Sequence, residues 1–127
     1  MNQVGSPTVL IVDDDRQILS LVTDVLQRAG YETQTAENGK EAVELARVLK
    51  PALVLCDASM PEMPGVDVVQ VLKSDTTTAH IPIVLMSAFH ASTFENAGAD
   101  AFVGKPFHVD ELVAVVSGVA NREDAPA

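Results

Sequence analysis

Apolar and polar positions change their period along the chain. Thr8-Val9-Leu10-Ile11-Val12 is short, apolar and rich in β-branched residues, which predicts a buried strand. From Arg16 to Ala29 the residues Ile18, Val22, Val25 and Ala29 return at helical intervals, with Leu19 and Leu26 beside them. Gly30 follows in the position expected of a helix C-terminus. Glu32 to Ala36 alternates weakly and is predicted as an edge strand. Asn38-Gly39 opens a second helix with Ala42, Leu45, Ala46 and Leu49 on one face, and Pro51 ends it. Leu53-Val54-Leu55-Cys56 is apolar without alternation, as in a strand covered on both faces. Two prolines between Met60 and Pro64 impose a loop. Val66, Val69 and Leu72 mark a third helix, and Pro82 to Met86 a fourth strand. Ala91–Ala97 predicts a short helix ending at Gly98. Ala101 to Gly104 is a fifth strand, and Val109 to Asn121 a last helix with Val109, Leu112, Val116 and Val119 at helical spacing.

Strand and helix thus alternate five times. That order predicts an α/β fold: a five-stranded parallel sheet with right-handed crossovers and helices on both faces. At 127 residues the chain has room for one domain. We place it at 8–121, with an N-terminal extension at 1–7 and a tail or start of a linker at 122–127. In such sheets the site lies beyond the carboxyl ends of the strands, so the residues just after each strand matter most.

Composition narrows the class of partner. Eight basic residues against 18 acidic ones give a net charge of −10, which argues against direct binding to nucleic acid or to an anionic membrane. The single Cys56 cannot form an intrachain disulfide, and no apolar run approaches the ~18 residues of a membrane span. With no signal-peptide pattern at Met1 to Thr8, a cytoplasmic location is expected.

The strand ends carry the chemistry. Asp13, Asp14 and Asp15 follow strand 1, and Asp57 ends strand 3. Ser87 and Ala88 follow strand 4, and Lys105 and Pro106 follow strand 5. Parallel strands would bring these side chains to one edge. Clustered carboxylates repel and raise a pKa, and a hard divalent cation relieves the conflict. Lys105 adds a compact positive charge and Ser87 a hydroxyl. Carboxylate, metal, hydroxyl and ammonium together suit a phosphoryl group, and an Asp carboxylate can be its acceptor. Asp15 reads as a helix N-cap instead. Cys56 reads as a small core residue, and Met60 and Met63 as packing beside the loop. His80, His90 and His108 lack metal-ligand spacing.

These residues carry a resemblance. Val9 to Asp15, Leu53 to Pro61, Gly65, Pro82 to Ala88, Gly98-Ala99-Asp100 and Lys105-Pro106-Phe107 are each weak signals, but their order and spacing are specific. Over Thr8 to Asn121 the chain resembles the receiver domain of bacterial two-component response regulators. The resemblance implies a flavodoxin-like sheet of order 2-1-3-4-5. It implies that Asp57 accepts a phosphoryl group from a phosphohistidine of a sensor histidine kinase or histidine phosphotransfer protein. Asp14, Asp57 and the Ser59 backbone carbonyl would ligate Mg²⁺, and Asp13 would reach it through water. Ser87 and Lys105 would contact the phosphoryl group, with Lys105 pairing with Asp57 beforehand. The Lys105–Pro106 peptide would be cis, which an X–Pro bond permits at modest cost. Phe102 stands where the family has its switch aromatic.

Two departures stand out. The interval from Ser87 to Lys105 is shorter than the family's usual one, which predicts a shortened helix between strands 4 and 5. Phe102 replaces the common Tyr and lacks its hydroxyl. The resemblance also implies that Ser59 and Phe89, two residues beyond Asp57 and Ser87, flank the approach of hydrolytic water, so they are expected to set the lifetime of the phosphorylated form. The output would be a further domain or a downstream protein, with a phosphorylation-dependent homodimer as another partner. Two other readings compete. A Mg²⁺-dependent phosphatase of the haloacid dehalogenase kind would want a second Asp where Ser59 stands. A phosphate-blind binding module would have no need of the full set Asp13, Asp14, Asp57, Ser87 and Lys105. Apart from self-catalysed phosphorylation and dephosphorylation, no enzyme activity is expected.

Overall fold

The computed structural model describes residues 7–88 and 98–124. Its elements follow in the order β1 (Thr8–Val12), α1 (Arg16–Arg28), β2 (Glu32–Ala36), α2 (Gly39–Leu49), β3 (Leu53–Asp57), α3 (Gly65–Ser74), β4 (Ile83–Ser87), β5 (Ala101–Gly104) and α4 (Val109–Asp124). The short helix expected at 91–97, Phe89 and His90 lie outside the described residues. The five strands form one sheet in the order β2-β1-β3-β4-β5, and every pairing is parallel.

Helix starts are set locally. The Asp15 carboxylate accepts from the N–H groups of Gln17 and Ile18 at 2.9 and 3.4 Å, so it caps α1 as expected. Asn38 caps α2 through Glu41 N–H at 2.8 Å. Gly30 takes a φ of +102° after α1, which a side chain would oppose. Lys50 ends α2 in the left-handed region at φ 45°, an ending that its residue type does not announce. The last helix runs three residues beyond the expected Asn121.

The sheet divides the core in two. Val9, Ile11, Leu53, Leu55, Val84 and Met86 face one layer with α1 and α4. Leu10, Val12, Val54, Cys56, Ile83 and Leu85 face the other with α2 and α3. Each fully buried Leu or Ile contributes about 1.5–3 kcal/mol by leaving water. Both faces of the three central strands are therefore covered, which explains why their sequences do not alternate. The expected stripes hold at Val22, Val25, Ala42, Ala46, Val69, Leu72, Leu112, Val116 and Val119, and the differences fall at their ends. In α1 Leu19 and Leu26 are buried with Val22 and Val25, while Ile18 is half-buried and Ala29 exposed. In α2 Val43 is buried and Leu49 exposed, and in α3 Val68 replaces Val66 as a core residue. Val109 is exposed at the start of α4. Apolar residues outnumber core positions on these helices, so spacing alone leaves the phase open.

At the amino end of the sheet, Lys73 of α3 ties three segments together. Its ammonium donates to the carbonyls of Ala79 and Ile81 at 3.4 and 3.0 Å and pairs with Asp100 Oδ2 at 3.1 Å. The same Asp100 oxygen accepts from Ile83 N–H at 2.8 Å, which fixes the entry of β4. Among the described residues no helix is long and apolar enough to cross a membrane.

Candidate functional site

At the other end of the sheet the ladder carries the backbone into the site. Beyond β1, Asp13 N–H donates to Ala36 O at 3.1 Å. Beyond β3, Ala58 N–H donates to Met86 O at 2.8 Å, and beyond β5 Lys105 N–H donates to Ser87 O at 2.8 Å. Parallel register thus delivers Asp13, Asp57, Ser87 and Lys105 to one edge. Asp13, Asp57 and Ser87 are buried there, Asp14 is exposed and Lys105 is partly covered.

The carboxylates of Asp13, Asp14 and Asp57 each offer an oxygen within 4.8 Å of the others. Lys105 Nζ lies 3.0 Å from Asp13 Oδ2 and 3.2 Å from Asp57 Oδ1. The sequence suggested Asp57 as its partner; the structure adds Asp13, held in place by a bond from Asp15 N–H to its Oδ1 at 2.9 Å. Asp57 Oδ1 also accepts from Ser59 N–H at 3.3 Å. The Lys105–Pro106 peptide is cis. Phe102 is half-buried against the α2–α3 layer. Ser59, on the loop after β3, is exposed. His80 and His108 are exposed and apart from the carboxylate cluster that could hold an ion.

Electrostatics follow from burial. Loss of water around Asp13 is the chief cause that raises its carboxyl above the usual range, and the charge of Asp57 adds to it; the Asp15 N–H and Lys105 offset only part. Burial alone would lower the Lys105 ammonium, but Asp13 and Asp57 outweigh it and raise its pKa. Burial also pushes the Cys56 thiol far up, so this cysteine behaves as a packed apolar residue with its S–H directed to Asp57 O at 3.4 Å.

The Asp13 shift sets a sign for stability. A folded-state carboxyl with a raised pKa favours folding fully below its ordinary value of 3.8 and stops doing so as pH rises through the raised value. At neutral pH its charged burial opposes folding. In chelator, Asp13→Asn is therefore expected to match or exceed the parent's urea midpoint at neutral pH, with the gap closing on acidification. A parent more stable than the variant by over about 1 kcal/mol at neutral pH would show that the pair with Lys105 outweighs burial.

Three features were not read from the sequence. Gly65 N–H donates to Ala58 O at 2.9 Å, and a Cβ at Gly65 would meet Asp57 O at 2.5 Å. Met63 covers Gly39, the first residue of α2. Ile18, Leu21, Ala88, Lys105, Pro106 and Phe107 line an apolar groove of about 400 Å³ beside the carboxylates. Glycines in or next to a site loop were the available signal for the first two.

Comparison with known proteins agrees with this geometry. The family model described as the response regulator receiver domain matches residues 9–117. The chain is 37% identical to the DNA-binding dual master transcriptional regulator RpaA of Synechocystis, over 93% of this chain and 51% of that protein. It is 34% identical to the polar-differentiation response regulator DivK of Brucella anthropi, over 86% of this chain and 92% of that one. It therefore spans about half the length of the first relative and nearly all of the second. A crystal structure of a putative response regulator from Chloroflexus aurantiacus superposes with a TM-score of 0.86 at 32% identity, covering 92% of this chain and 99% of that one. A match this long, on a sheet of this order with this cluster at its carboxyl edge, makes the chain a member of the response regulator receiver domain family, the phosphorylation switches of two-component signalling rather than conventional enzymes.

Proposed function

We propose that Asp57 is the phosphoryl acceptor of this receiver domain and that it takes the group from a phosphohistidine. The observation that carries this reading is the double engagement of Lys105, which holds Asp13 and Asp57 together at 3.0 and 3.2 Å and would otherwise leave buried carboxylates facing one another. A new bond forms between an Asp57 oxygen and phosphorus as the P–N bond breaks, and the imidazole leaves with the electron pair and takes up a proton. Lys105 turns from the carboxylates to the incoming phosphoryl oxygens, and the Ser87 hydroxyl donates to another of them. Ser59 and Phe89 then govern access of hydrolytic water.

The donor set fits Mg²⁺. Three carboxylates, one of them exposed, give hard oxygen ligands and leave room for water, which this ion retains. Asp14, Asp57 and the Ser59 carbonyl would bind it directly, and Asp13 through water. When bound, the ion neutralises charge on the transferring group. The groove beside Lys105 supports the choice of donor. Its apolar lining runs up to the ammonium that contacts the acceptor, so a helix presenting phosphohistidine would bury its apolar face there while its imidazole reaches Asp57. Phe102, half-buried on β5, is the aromatic proposed to turn with the switch, carrying the signal to an output domain, a downstream protein or a second copy.

Acetyl phosphate with Mg²⁺ tests the acceptor directly. Intact mass should rise by about 80 Da, the mass of one phosphoryl group, and the adduct should be lost in base. Asp14→Ala removes an exposed ligand without opening the core. It is expected to weaken Mg²⁺ binding and slow labelling to the rate seen in excess chelator. Undiminished labelling in chelator would overturn the metal's part. Turnover of a phosphomonoester would instead favour the phosphatase reading.

A further inference from the structure

The loop between β3 and α3 carries Ser59, yet little of its own bonding fixes it. Met63 N–H donates to Pro61 O at 2.7 Å, and Gly65 N–H closes the far end on Ala58 O. Between them Glu62 sits at φ 70°, a left-handed conformation that a non-glycine residue keeps only when its surroundings hold it. Those surroundings include Met63, whose side chain lies on Gly39. A Cβ at Gly39 would meet Met63 Cγ at 2.7 Å, Cβ at 2.8 Å and Sδ at 2.9 Å. The contact reaches the root of the Met63 side chain, so rotating its tip would not relieve it.

The surface under Met63 is itself fixed. Gly39 is buried at the start of α2, where Asn38 caps through Glu41 N–H at 2.8 Å and Glu41 Oε1 accepts from Glu37 N–H at 2.9 Å. Two residues before Asn38, Ala36 O accepts the Asp13 N–H. The start of α2 thus belongs to the same frame as Asp13.

We propose that the Gly39–Met63 contact is a positioning element for the phosphoryl-acceptor site: it seats the loop so that the Ser59 carbonyl stands at the height of Asp14 and Asp57. The proposal rests on the Mg²⁺ reading above. Gly39 matters because it is the one residue small enough to let Met63 lie flat on the end of α2. It has no left-handed φ to protect, and Ala is the better helix former, so helix propensity alone would make Gly39→Ala favourable. An adverse effect on metal binding would run against that sign.

The experiment is a double-mutant cycle on Mg²⁺ affinity, measured by calorimetry on the folded 127-residue chain without phosphate. Gly39→Ala is expected to weaken Mg²⁺ binding by about tenfold, in the range found for groups that orient metal ligands. In a Met63→Ala background the same Gly39→Ala change is expected to cost clearly less, because Cγ and Sδ, two of the three atoms it would displace, are gone. An equal fall in both backgrounds, or no fall in the first, would overturn the proposal. Should Gly39→Ala fail to fold, Met63→Ala and Met63→Leu carry the test. Met63→Ala should weaken binding and Met63→Leu should keep it, whereas parent-like affinity in Met63→Ala would overturn the proposal. Asp14→Ala is the reference. A parent that binds Mg²⁺ no better than Asp14→Ala would remove the metal reading and the proposal with it. A binding parent beside an inert Gly39→Ala would remove the positioning element alone.

Discussion

Asp57→Asn is expected to abolish the base-labile adduct entirely under conditions that fully label the parent with acetyl phosphate and Mg²⁺. The amide keeps the size of the side chain and can still accept the Ser59 N–H, which lies 3.3 Å from Oδ1. What it lacks is the anionic oxygen that attacks phosphorus. Lys105 retains Asp13 at 3.0 Å, so the variant should stay folded with its ammonium still in the site. Asp13 loses the neighbouring charge that helps to raise its pKa, so its carboxyl should titrate lower in the variant than in the parent. Intact mass reads the first effect, and a carboxyl-resolved NMR titration the second. A full adduct on Asp57→Asn would move the acceptor to another residue and remove the basis of the proposed function.

Gly65→Ala is expected to strike stability and activity together. The new Cβ would stand 2.5 Å from Asp57 O, 2.8 Å from Ala58 Cα and 3.0 Å from Leu85 Cδ2. Two of these are main-chain atoms of the acceptor strand and its next residue, and they cannot rotate away. Either α3 retreats or the end of β3 does. Overpacking of this kind costs about 1–3 kcal/mol, and displacing a reacting carboxylate by about 1 Å costs on the order of a hundredfold in rate. Urea unfolding and the initial rate of acetyl phosphate labelling would measure the two effects. Gly118→Ala is the control. Nothing lies within 4 Å of its would-be Cβ on α4, so it should stabilise by about 0.5–1 kcal/mol. A Gly65→Ala protein with parental stability and labelling would mean that the loop absorbs the methyl group without moving Asp57.

Much of this was already settled by residue order. Apolar runs at Val9–Val12, Leu53–Cys56 and Ile83–Met86, separated by helical periods, determined a parallel α/β sheet, because strands buried on both faces do not alternate. Once the strands are parallel, Asp13, Asp14, Asp57, Ser87 and Lys105 must share one edge, since each ends its strand or follows it within two residues. Asp15 and Asn38 announced their helix starts because capping depends only on neighbouring N–H groups. Tertiary structure decided what depends on a partner far along the chain. It chose which apolar stripe of each helix faces the core, putting Val68 inward and leaving Val109 in solvent. It gave Lys105 a second carboxylate, Asp13, across 92 residues. It also pressed Gly65 onto Asp57 and Met63 onto Gly39. Periodicity and caps are properties of a short segment, whereas these contacts exist only when separate elements pack to within atomic distance, and no local pattern encodes that approach.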